Sequence, residues 1–72
     1  MPINVPDHDA VVREAQKHKF REPLIDESDD QYRTALADHV FKIDKVAGHE
    51  IRTGRGWDEW TDSDRANFIA RT

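Results

Sequence analysis

S-D-D-Q-Y-R-T-A-L-A-D-H-V-F-K-I-D-K-V-A-G-H-E-I-R-T-G, residues 28–54, decides how this chain folds. Tyr32, Ala35, Leu36, His39, Val40, Ile43, Val46, Ala47 and Ile51 recur at spacings of three and four, the period of an amphipathic helix. Ser28-x-x-Gln31 has the form of a capping box, in which the hydroxyl takes the N3 amide and the glutamine reaches back to the cap. Asp29 and Asp30 sit where the helix dipole favours acids. Asp29–Arg33 and Asp38–Lys42 are acid-before-base pairs at i,i+4, each adding a few tenths of a kcal/mol. Gly54 can supply the left-handed residue that ends a helix. The expectation is one long helix from Ser28 to Gly54. Gly48 is its weak point, because an interior glycine costs about 1 kcal/mol relative to alanine. Either another helix approaches closely there, or the helix kinks or stops at Ala47.

The flanking segments are short. M-P-I-N-V-P, residues 1–6, carries two prolines and reads as an extended arm whose alternating Ile3 and Val5 can lie along a core or fray. Residues 7–72 then form a single helical domain. Asp7 or Asp9 caps a first helix reaching about Phe20, with Ala10, Val11, Val12 and Ala15 as a narrow stripe. Pro23 ends it, and Leu24 and Ile25 are expected to plug the gap between helices. Gly54 and Gly56 make a turn, Trp57-Asp-Glu-Trp60 follows as one helical turn, and Thr61-x-x-Asp64 caps a last helix running to about Arg71. The fold class is all-α: a small three-helix domain with a long central helix, two short flanking helices on its stripe, and Trp57 and Trp60 closing the bottom of the core.

Composition narrows the function classes. Seventy-two residues make one domain, and without cysteine neither a disulfide nor a thiolate metal site can form. No apolar run approaches the ~18 residues of a membrane span and no signal-peptide core follows Met1, so a cytoplasmic location is expected. The net charge is −4. Before residue 32 eight acids face four bases, and after it the two signs balance at seven each. An acidic chain is poorly suited to sequence-independent nucleic-acid binding, which rests on neutralising phosphates.

Catalytic chemistry finds no footing. His8, His18, His39 and His49 match no H-x-x-x-H or H-E-x-x-H spacing, so no metal ligands or cofactor are expected. Ser28 and Ser63 sit at helix starts, where capping explains them. T-G-R-G lacks the Lys-Ser/Thr of a phosphate loop. The candidate functional residues are instead Arg52, Arg55, Trp57 and Trp60. Arginine and tryptophan dominate interface hot spots, and the neighbouring glycines let a partner approach the backbone. The competing structural reading is that a small disulfide-free domain needs both indoles in its core. Arg65 is placed to stack on an indole.

The segment G-W-D-E-W-T-D-S-D-R-A-N-F-I-A-R, with A-L-A-D-H-V upstream, resembles small phage and prophage proteins of unknown role over about residues 35–71. That resemblance implies a mobile-element origin and a partner-binding or regulatory role, and it transfers no catalytic residues. The leading reading is a non-enzymatic protein-interaction or regulatory module that binds another protein, with any uncovered part of the stripe driving a homodimer. The alternative is a nucleic-acid-binding accessory factor using Arg52, Arg55 and Trp57, with Lys42, Lys45 and Arg71 nearby. A small hydrolase or metal-binding protein comes last.

Overall fold

The computed structural model describes residues 2–72; Met1, the first residue of the expected arm, lies outside them. Among the described residues the chain forms four helices, α1 (His8–Lys17), α2 (Asp29–Phe41), α3 (Lys45–Thr53) and α4 (Asp62–Arg71), with one 3₁₀ turn (Trp57–Glu59) before the last. The expected three-helix domain with one long central helix is therefore corrected. The stretch from Ser28 to Gly54 is two helices joined by Lys42, Ile43 and Asp44.

The break has a local cause. Asp44 leaves helical geometry (φ −144°, ψ 105°), and its Oδ1 accepts from the Val46 and Ala47 amides at 3.1 and 3.2 Å. It thereby caps a new helix, as a side-chain oxygen at this position does elsewhere. The outgoing end of α2 is tied by the Ile43 and Asp44 amides, both donating to the Val40 carbonyl. The chain reverses, and α3 lies back against α2. Gly48 marks the contact: a Cβ placed there would stand 2.4 Å from the Phe41 Cα. Of the two explanations for Gly48, close approach of a helix is the one found, and the approaching helix is the other half of the same stretch. Ile43 falls in the connection and is exposed.

The core lies between α1, α2 and α3. Val11 and Ala15 of α1, Tyr32, Leu36, Ala37 and Val40 of α2, and Ala47 and Ile51 of α3 are buried together, and Val5 of the arm joins them at 2 % exposure. The arm is thus packed against the domain. The Arg33 guanidinium crosses from α2 to the Ile51 carbonyl at 2.9 Å, fastening the end of α3. Gly54 ends α3 in the left-handed region at φ 78°.

α1 stops at Lys17, short of the expected Phe20. Lys19 takes φ 56°, the Lys19 amide donates to Gln16, and the Phe20 amide reaches back to Ala15 at 3.0 Å. This is a Schellman ending with lysine where glycine is usual, and it turns Phe20 onto the core edge beside Tyr32 and His39. Leu24 and Ile25 do not plug a gap: they are exposed. The Arg21–Glu27 fork and the Leu24 amide on the same carboxylate hold their loop, with the Arg21 guanidinium lying over the Phe20 and Tyr32 rings. Among the described residues no helix is long and apolar enough to cross a membrane.

Candidate functional site

The segment after α3 is built on two buried carboxylates. Glu50, on α3 and 3 % exposed, accepts the Ile3 amide at 3.0 Å and the Trp57 amide at 2.9 Å on one oxygen. It clamps the arm and the 3₁₀ turn to the same helix. Asn4 adds a second tie through its Oδ1, which accepts the Gly56 amide at 2.9 Å. The second carboxylate, Asp64, is the N3 residue of α4. Thr61 and Asp64 complete the reciprocal capping box read from the sequence. The same carboxylate receives a fork from Arg55, with Nε at 2.9 Å and Nη2 at 2.7 Å from Oδ2.

Beneath this fork lies a small aromatic cluster separate from the main core. His49 is 1 % exposed and meets Trp60 edge-on at 4.9 Å and Phe68 at 5.4 Å. Its Nε2 faces the Asp64 carbonyl at 2.8 Å. A carbonyl only accepts, so that nitrogen carries the proton. The Trp60 indole donates to the Arg55 carbonyl at 2.9 Å. α4 is therefore attached to α3 and the turn after it through Arg55–Asp64 and through His49, Trp60 and Phe68, and at its far end to α2 through Arg71. The Arg71 guanidinium lies over the Phe41 ring at 4.8 Å and reaches Asp38 at 3.3 Å.

The four expected site residues are not brought to one surface. Arg52 and Arg55 line a concavity of about 470 Å³ between α3 and α4, with Arg71, Asn67, Asp64 and His49 in its walls. Trp60 is half-buried and serves the aromatic cluster. Trp57 is 54 % exposed and is absent from that lining. The expectation that both indoles close the bottom of the core is thus corrected for Trp57. Arg65 stacks on neither indole and lies 3.8 Å from Asp62. His49, Glu50, Asp64 and Asn67 were missed as site members. The capping-box spacing pointed to Asp64, but nothing in the sequence announced that Arg55 would fold onto it. Among the described residues no group of three or more histidines and carboxylates is placed to hold a metal ion. Comparison with models of known families, with curated proteins and with solved structures finds no match.

Acid is expected to loosen this assembly. Burial alone would raise the Asp64 pKa, but the Thr61 amide and the Arg55 fork outweigh it and hold the carboxyl below its ordinary value. The Arg21 hydrogen bonds do the same, against a smaller effect of burial, for Glu27. A carboxyl whose pKa is lower folded than unfolded contributes stability that is complete above the unfolded value and drains as pH falls through the folded one. Stability should therefore decline once pH drops below about 4. Denaturant melts across the acid range should show a shallower decline in Asp64→Asn than in the wild type; parallel curves would refute this assignment.

Proposed function

We propose that this chain is a small non-enzymatic interaction module that binds another protein through the face carrying Trp57. The observation behind this reading is the contrast at that residue. Its backbone is pinned by the buried Glu50 carboxylate, while its side chain is 54 % exposed. A large exposed indole on a fixed backbone loses little conformational entropy on binding, the condition under which an aromatic anchor contributes most. The phage-type grammar of residues 35–71 fits such a role in a mobile element.

The nucleic-acid reading rests on Arg52, Arg55 and Arg71. Each already faces a carboxylate, Asp64 for Arg55 and Asp38 for the other two, and the chain carries a net −4. Those pairings and the net charge weaken the extended field needed to neutralise many phosphates along a nucleic-acid backbone, a demand that a single phosphoryl group does not make.

Trp57→Ala separates binding from folding. Truncating an exposed side chain should leave the melting transition nearly unchanged, within about 0.5 kcal/mol. A partner recovered from the native host by the wild type should be lost by the variant, with affinity falling by about 2 kcal/mol or more in a titration of the purified pair. Equal affinity in wild type and variant would overturn the Trp57 face as the interface.

A further inference from the structure

We propose that the concavity between α3 and α4 is a binding site for a phosphate monoester, held by Arg52 and Arg71 with the free edge of Arg55. This site is independent of the Trp57 face.

Charge accounting carries the inference. Three guanidiniums and one carboxylate, Asp64, line the cavity. Asp64 spends its capacity on the Arg55 fork and on the Thr61 amide. That fork uses Nε and Nη2, so the Nη1 side of Arg55 is left for a ligand. Arg52 and Arg71 share a single further carboxylate, Asp38, at 3.8 and 3.3 Å, and Asp38 is itself more than half exposed. Neither is the close bidentate pairing that Arg55 makes. Two guanidiniums held by one loosely placed, solvated carboxylate form a competent receptor for a dianion, because planar donor forks match phosphate oxygens.

A second observation points to an absent partner. Arg71 Nη1 is shielded from solvent and has no hydrogen-bond acceptor among the described residues. An unsatisfied charged donor costs more than an ordinary one, and because water does not reach this nitrogen an anion relieves it only by drawing the Arg71 guanidinium towards the cavity. The arginines are also positioned by other contacts: Arg71 by Phe41, and Arg55 by Asp64. The volume, about 470 Å³, exceeds that of a bare phosphate and lies in the range of small-ligand sites, which leaves room for an organic body beside the phosphoryl group.

The test is a titration of ¹⁵N-labelled protein with inorganic phosphate, against chloride at matched ionic strength. Saturable shifts are expected at Arg52, Asn67 and Arg71 and not in the α1–α2 loop. Arg71→Gln and Arg52→Gln should each weaken binding about tenfold. Arg71 also packs on Phe41, so Arg52→Gln, on an exposed side chain, keeps the test valid if the first variant unfolds. Asp38→Asn, which removes the competing carboxylate, should tighten binding several-fold. Shifts that chloride reproduces, or that survive both arginine variants, would overturn the site. O-phosphoserine and adenosine 5′-monophosphate then tell a phosphorylated side chain from a nucleotide. Either binding at least as tightly as inorganic phosphate supports the monoester, and both binding more weakly removes it.

Discussion

Gly48→Ala is expected to destabilise the protein by about 2 kcal/mol or more, although the same substitution in a free helix would stabilise it by about 1. The sign reverses because of where the new methyl would go. It would stand 2.4 Å from the Phe41 Cα and 2.5 Å from the Phe41 amide nitrogen. Those are backbone atoms of the neighbouring helix, so no rotamer change makes room. α2 and α3 must move apart, and with them Leu36, Val40, Ala47 and Ile51, each at or below 8 % exposure. Small shifts in a packed core forfeit contacts that voids cannot recover. Equilibrium denaturation of the variant measures the loss. A midpoint equal to or above that of the wild type would mean that the two helices do not meet at this glycine.

The same glycine explains how far the sequence could be read. The apolar stripe of residues 28–54 identified part of the core: Tyr32, Leu36, Val40, Ala47 and Ile51 are buried, whereas His39, Ile43 and Val46 of the same stripe are exposed and Ala37, outside it, is buried. It could not reveal the reversal between Val40 and Ala47. Those two positions are seven apart, so one continuous helix and two helices folded back with a three-residue connection both turn them inward. Hydrophobic period reports burial, and burial does not distinguish the two. The distinguishing signal was Asp44, an N-cap residue two before Val46, which the longer periodicity concealed. At the site, arginine and tryptophan were recognised as residue types, but their grouping depends on contacts distant in sequence. Arg71 meets Asp38 across 33 residues, and Asn4 meets Gly56 across 52. No local pattern encodes such pairs. Trp57 and Trp60 illustrate the point at short range. Three residues apart, one is exposed and the other lies against His49 and Phe68, because the 3₁₀ turn ends at Glu59 and Trp60 enters an extended segment (φ −65°, ψ 137°).

Glu50 offers the second large effect, and two substitutions separate its possible roles. Both amides that it holds, from Ile3 and Trp57, donate to one carboxylate oxygen. Glutamine can place its carbonyl oxygen at that point and keep both bonds. It loses the charge assistance and also the cost of burying a carboxylate, two terms that oppose each other. Glu50→Gln should therefore change stability by less than about 1 kcal/mol. Glu50→Ala removes the acceptor altogether and leaves two part-buried amides unpaired, at a cost of about 3 kcal/mol. The consequence is local as well as global. The arm and the 3₁₀ turn lose their shared anchor, and Val5, buried at 2 % exposure, is released with them. Hydrogen exchange at the Ile3 and Trp57 amides should accelerate sharply in the alanine variant and stay slow in the glutamine variant. If Trp57 owes its binding role to a fixed backbone, partner affinity should follow the same order: retained in Glu50→Gln, reduced in Glu50→Ala even though the indole is untouched. Unchanged affinity in a variant whose Trp57 amide exchanges freely would show that the indole acts without preorganisation.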